Sequence, residues 1–266
     1  MPITTTISSV RSITFAGAVL ALALVSGAHA QTLTKGADNY KPFAVEHIGK
    51  ALTGAKALQA AVKASDVKAA QAAWIASRKG WEAIEPVTGE FFPKLDEVID
   101  AWPDAKNGYH AVEAAMFAGK LGEIGQSVDG LVNNLAAFEK QLKAPGFKFT
   151  PQGLLNGTTK LAYEIGENKS KGGESPYAGT SLIDMQENVE GIEAVFKLVF
   201  EEPLKKNDAK LAKSIDDKIE DVEALVKVSD LKQLDQPKLH QAGEELAVLL
   251  QSAAPKLKLK KPKLGD

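Results

Sequence analysis

Carboxylates have to carry whatever chemistry this chain performs. It contains no cysteine, and beyond residue 30 its histidines are His47, His110 and His240. No thiolate can act as nucleophile or soft metal ligand. There is no G-x-S-x-G elbow, no phosphate-binding P-loop and no H-E-x-x-H pair. The acidic residues, however, gather in three places. The first is Arg78-Lys-Gly-Trp-Glu82-Ala-Ile-Glu85-Pro86. On a helix Arg78 and Glu82 stand four apart and Glu82 and Glu85 three apart, so they share a face. Trp74, Trp81 and Ile84 flank that face and imply partial burial. Two half-buried carboxylates repel unless a cation lies between them. Arg78, the only arginine after residue 30, could serve in part, and a metal ion would serve better. The alternative at this spacing is an exposed Arg–Glu pair.

The second place is Gly108-Tyr109-His110-Ala-Val-Glu113. His110 and Glu113, three apart, put an imidazole and a carboxylate on one helical face, which is half of a metal site. Such N/O ligands suit iron, zinc, copper or manganese better than magnesium. A four-residue pattern alone is weak, and a structural histidine is the alternative. The third place is Leu182-Ile-Asp184-Met-Gln-Glu187-Asn188-Val-Glu190-Gly191. Asp184, Asn188 and Gly191 fall on one face, with Glu187 and Glu190 beside it. A solvated acidic surface is the alternative there. Asp96 and Asp100 add oxygen ligands between the first two groups.

The elements that must position these residues read as helices, because alanine, leucine, lysine and glutamate dominate and strand-like alternation is scarce. A first helix is expected over roughly 38–63. A second, capped by Ser65-Asp66, should run to about Glu85 and stop at Pro86. A short helix fits 93–101, and others fit about 109–119 and 124–143. Thr150-Pro151 is a start signal for a helix to about 168. Residues 169–179 form a polar, glycine-rich break. Ser181 with Asp184 resembles a capping arrangement for a helix to about 199. The last helices fall near 207–227 and 236–253. Short connections favour antiparallel neighbours in bundles. Seven or eight helices exceed one four-helix bundle, so two bundles are expected, with the seam near 169–179.

The N-terminus predicts export. Arg11 precedes an apolar stretch over 13–25, and Ser26-Gly-Ala-His-Ala30 places small residues at a cut after Ala30. That pattern describes a cleavable signal peptide over 1–30. The apolar run is too short for a comfortable membrane span. Without cysteine there is no site for a lipid anchor, so a periplasmic or secreted chain that is not membrane-anchored is expected. A formal net charge of −2 gives no field for nucleic acid. Lys256, Lys258, Lys260, Lys261 and Lys263 crowd a basic tail over 255–266, expected to be a frayed, solvated end. A polyanion-binding arm is the alternative for it.

Taken in order, Trp81-Glu-x-x-Glu-Pro-Val, then Leu95-Asp with Val98-Ile-Asp100, then Gly108-x-His110-x-x-Glu113, then Leu182-x-Asp184 with Asn188-Val-Glu-Gly191 resemble imelysin-like proteins. The closest branch is the EfeO/EfeM type of bacterial iron-uptake component. The resemblance covers about 40–250, and G-x-H-x-x-E is the family's hallmark. It implies an all-α fold of two four-helix-bundle-like halves over 31–254 with a cleft between them, and binding of iron or another divalent metal. By matching position, the implied metal ligands are His110, Glu113, Glu82, Glu85, Asp100 and Glu190. Asp184 is implied as a residue that orients a ligand, and Arg78 and Lys79 as contacts for an anionic ligand. Asp96 competes with Asp100, because the spacer from Trp102 does not align firmly. The cupredoxin-like domain of longer relatives is expected to be missing. The implied function is capture of a divalent or ferric ion (iron, zinc or copper) and its delivery to a membrane iron permease. The family also contains a binder of alginate, so a cleft for an acidic polysaccharide is the rival. A metallopeptidase is disfavoured, because one His-x-x-Glu lacks the second histidine of such a site.

Overall fold

The computed structural model describes residues 16–100 and 107–264, with side chains from residue 30 onward. The start of the expected signal segment and the spacer residues 101–106, which include Trp102, lie outside the described residues. The fold is all-α: among the described residues every regular element is helical. Helix α1 spans Ala16–Lys63 as one element, running through the expected cut after Ala30 and starting well before residue 38. Asp66 caps α2 (Val67–Glu82) by accepting a hydrogen bond from the Ala69 amide at 3.0 Å.

Pro86 does not end this helix as expected. The chain breaks at Ala83–Ile84, and Pro86 sits in the first turn of a new helix, α3 (Glu85–Phe91). Proline suits that position, since its missing N–H would have had no partner there anyway. Glu82 therefore closes one helix and Glu85 opens the next. Helices α4 (Pro93–Ile99), α5 (Gly108–Phe117) and α6 (Gly125–Leu142) follow. Helix α7 (Pro151–Glu167) starts where Thr150 accepts from the Gly153 amide at 3.1 Å. Helix α8 (Ser181–Val195) has no side-chain cap; the expected Ser181–Asp184 capping pair is spent elsewhere. A wide turn over Phe196–Phe200 leads directly into α9 (Glu201–Val226). Asp208 departs from helical angles there and caps the rest of α9, accepting from the Leu211 amide at 3.1 Å. Helix α10 (Gln236–Lys256) closes the order.

Burial follows the helical period. In α6 the buried positions are Val128, Leu131, Val132, Leu135, Phe138 and Leu142, one stripe along the helix. Helix α1 packs along α2 and α6; α10 packs along α7 and α9. Helix α8 lies between these groups and touches α2, α3, α7 and α9. One contiguous apolar core runs through all of them.

As far as Leu264 the C-terminal tail is not frayed. Leu257 and Pro262 are buried. The Lys260 amide donates to the Gln152 side chain at 2.7 Å, and Gln251 Nε2 donates to the Pro262 carbonyl at 2.7 Å. Apolar residues alternating with the lysines dock the strand of chain while the ammoniums stay in water. Among the described residues no helix is long and apolar enough to cross a membrane.

Candidate metal centre

The break between α2 and α3 is held by two glycines on neighbouring helices. A Cβ on Gly157 of α7 would lie 1.9 Å from the Pro86 carbonyl oxygen, and one on Gly191 of α8 would lie 2.4 Å from that of Ala83. Backbone meets backbone on both sides, so the carboxylates at the break are placed by rigid elements. Asn188 of α8 ties them together. Its Nδ2 donates to Glu82 Oε2 at 2.8 Å, to Glu85 Oε2 at 2.6 Å and to the Glu82 carbonyl at 3.1 Å.

Two cations are buried among these acids. Arg78 meets Glu82 at 2.5 Å, Glu174 at 3.3 Å and Asp184 at 3.8 Å, and also binds Asp100. It is 1 % exposed, and its guanidinium lies over the Tyr109 ring. It is thus an internal counter-ion to these acids. Lys169 stands on the short turn after α7. Its ammonium lies 2.9 Å from both Glu85 oxygens, 3.2 Å from Glu174 and 3.7 Å from Glu82.

His110 completes the group from α5. Its Nε2 lies 3.2 Å from Asp100 Oδ1 and its Nδ1 3.6 Å from Glu113 Oε2. Gly108 begins α5 at φ +88°, a conformation that favours glycine. Glu113 is buried, and its other oxygen accepts from the amides of Tyr177 and Ala178 at 2.9 and 2.8 Å. Asp184 accepts from the Ser175 hydroxyl, which fits a residue that orients its neighbours.

Glu82, Glu85, Asp100, Glu113, Glu174 and Asp184 therefore face Arg78, Lys169 and one imidazole. The carboxylates outnumber the fixed cations, and the electrostatics record the deficit. Burial pushes the Glu82 carboxyl well above the usual carboxylate range, against the pull of Arg78. Burial likewise raises Asp184 to about 6. Asp100 is the exception: burial opposes its charge, but Arg78 and His110 outweigh it and hold it low. Burial opposes the charge on His110, but the neighbouring Asp100 and Glu113 carboxylates together outweigh it and raise its pKa.

A cavity of about 420 Å³, lined by Glu85, Asp100, Glu164, Lys169 and Glu174 among others, opens beside this cluster. A second, of about 440 Å³, shares Glu85, Asp100 and Glu164 and adds Asp96, Glu90 and Lys160. Asp100 is thus the aspartate at His110, and Asp96 lies on the approach. Burial, then Glu85, raises Glu164 to about 7. A carboxyl whose folded pKa is raised contributes stability below its unfolded value and loses it as pH rises through the folded one. Glu164→Gln should therefore raise the melting temperature of metal-free protein at pH 8 and leave it nearly unchanged at pH 4. Thermal scans at the two pH values check this; an equal shift at both would refute it.

Glu190 and Lys79 do not join the cluster. Glu190 is about half exposed and pairs with His47 at 3.8 Å; Lys79 faces Glu187 at 3.6 Å. Both line a separate groove of about 900 Å³ along α1 and α2. The reason is the face of α8: Asp184 and Asn188 point inward, and Glu187 and Glu190 fall on the other side. Conversely, sequence reasoning missed Lys169 and Glu174, which lie in the segment read as a polar break. Local spacing carries no signal for them, because a loop can bring its residues to any neighbour. Among the described residues, Glu167, His240 and Glu244 also form a group, with ligand atoms within 4.8 Å of one another.

The chain is similar to known proteins over most of its length. The imelysin family model matches residues 36–258. The chain is 30 % identical over 184 residues to an iron uptake system component EfeO of Escherichia coli, covering 65 % of this chain and 48 % of that protein. The EfeO of Shigella flexneri matches to the same extent. An Efem/EfeO family lipoprotein of Staphylococcus haemolyticus is 29 % identical over 210 residues, covering 75 % of this chain and 72 % of its own length. The chain spans about half the length of the EfeO proteins it matches. With a model match across most of its length, the chain belongs to the imelysin family, and it is similar to EfeO-type members of it.

Proposed function

We propose that this protein captures a metal cation, iron foremost, outside the cytoplasm and passes it to a membrane permease of an EfeO-type uptake system. The observation that carries this reading is the charge deficit around His110. Six carboxylates converge from α2, α3, α4–α5, α8 and the segment before α8 on two fixed cations and an imidazole. Buried carboxylates in excess raise one another's energy, and a multivalent cation relieves that directly. Asn188 Oδ1 is a further buried oxygen with no hydrogen-bond partner, as a site short of a cation would leave. His110, Glu113, Asp100, Glu82 and Glu85 are the ligands we assign, with Glu174 added. The N/O set suits iron, zinc or copper over magnesium. Glu190, on the other face of α8, is left out of this set.

The acidic lining of the two neighbouring cavities supports metal over an acidic polysaccharide. Such a chain would meet Glu85, Glu90, Asp96, Glu164 and Glu174 on its way in. We read the protein as a binder rather than a peptidase, since His110 is the imidazole of the cluster and no second histidine joins it among the described residues. Calorimetric titration with anaerobic Fe²⁺ and with Zn²⁺ tests the proposal. Wild type should bind, and His110→Ala and Glu113→Ala should each weaken binding by about 100-fold, at the upper end of losses for groups around a metal. Binding untouched by both variants would remove the assignment.

A further inference from the structure

The segment 168–180 is fastened in large part by the groups a metal would claim. It follows α7 as a short turn over Lys169–Lys171 and reverses at Gly172, whose φ is +77°, before Gly173. It ends at Gly179, φ +68°, ahead of α8. It supplies a cation, Lys169, ahead of these glycines, and a carboxylate, a hydroxyl and two amides between them. Lys169 is 3 % exposed and Glu174 7 %, whereas Tyr177 at the outer edge is 62 % exposed. The Ser175 hydroxyl binds Asp184, and the amides of Tyr177 and Ala178 hold Glu113. The Ser175 amide donates to Ser181 Oγ at 2.9 Å, the hinge-side contact with α8.

A lysine in this position is unusual. A buried ammonium is tolerated only when paired, and here three carboxylates pay it that service. Glu85, Glu174 and Glu82 are also candidate ligands for the cargo. One tethered charge of +1 therefore occupies the centre of a set able to hold an ion of charge two or more. The cavity beside it is lined by Asn168, Lys169 and Gly173, so the ammonium has space into which to swing. We propose that Lys169 is an exchangeable internal cation: it holds the segment 168–180 closed over the carboxylates in the metal-free protein, and an incoming multivalent cation displaces its ammonium into the adjoining cavity, which frees residues 174–180 to move about the Gly172–Gly173 pivot. This rests on the metal-capture reading above. The exchange is an ion swap with no bond made or broken in the protein. Its consequence is selectivity: a monovalent ion gains nothing over the ammonium already present, whereas a divalent or trivalent ion does.

Wild-type protein tests this directly by amine acetylation followed by peptide mass spectrometry, with and without saturating Zn²⁺. Lys169 should resist labelling in metal-free protein and react at least about tenfold faster once zinc is bound, as expected when a buried group gains an open state. Lys50 and Lys213, which are exposed in either state, serve as references. In calorimetry Lys169→Met should bind Zn²⁺ at least about tenfold more tightly, because the competing closed state is gone. Lys169→Arg should bind no more tightly than wild type. Zinc binding that requires His110 while Lys169 stays protected at saturation would leave metal capture standing and overturn the exchange. Zinc binding that ignores His110→Ala, or no binding at all, would overturn both. If Lys169→Met does not fold, the labelling result decides.

Discussion

Arg78→Met is expected to lower the stability of metal-free protein by about 3–5 kcal/mol, the range for removing one partner of a buried ion pair. Arg78 is almost fully buried and faces Glu82, Asp100, Glu174 and Asp184. Methionine fills a similar volume, so the loss is electrostatic rather than a cavity. The acids left behind have Lys169 as their remaining fixed cation, and burial already disfavours the charge on Glu82. That asymmetry makes a second expectation within the same experiment. Glu82→Gln should be much milder than Arg78→Met, and the double variant should recover part of the loss. Urea unfolding of the three variants gives the comparison. A loss under about 1 kcal/mol for Arg78→Met, typical of exposed pairs, would show that Arg78 is not the counter-ion described here.

Gly157→Ala should cost about 3 kcal/mol, the upper end of the range for forcing extra volume into a packed interior. The added Cβ meets the Pro86 carbonyl oxygen at 1.9 Å and its carbon at 2.9 Å. Neither atom can rotate away, so α3 must move against α7. Glu85 opens α3, and its displacement would separate it from Asn188 and Lys169. Metal affinity should therefore fall together with stability. Gly125→Ala is the control: nothing lies within 4 Å of its Cβ, and alanine should stabilise that helix start by about 0.5–1 kcal/mol. Denaturation midpoints and zinc titrations on both variants check the pair. A Gly157→Ala protein as stable as wild type would mean that the clamp on the α2–α3 break is loose.

What the sequence by itself determined is what depends on near neighbours. Composition and period gave helices, and the caps at Asp66 and Thr150 formed as local hydrogen bonds. His110 and Glu113 share a face because three residues nearly complete a turn. The ordered motifs marked Glu82, Glu85, Asp100 and His110, which the structure brings together. Tertiary structure decided everything that depends on which face meets which neighbour. Glu82 and Glu85 converge across a helix break, not along one helix, because Gly157 and Gly191 admit two backbones at the break. Glu190 and Lys79 turn away because packing chose the Asp184–Asn188 face of α8 as the inner one. The lysine-rich tail docks because its leucines and Pro262 find α7 and α10. Lys169 and Glu174 belong to the centre because a loop closes over it. Loop placement is fixed by long-range ion pairing, and Glu85 and Lys169, 84 positions apart in the chain, leave no mark of that pairing in local spacing.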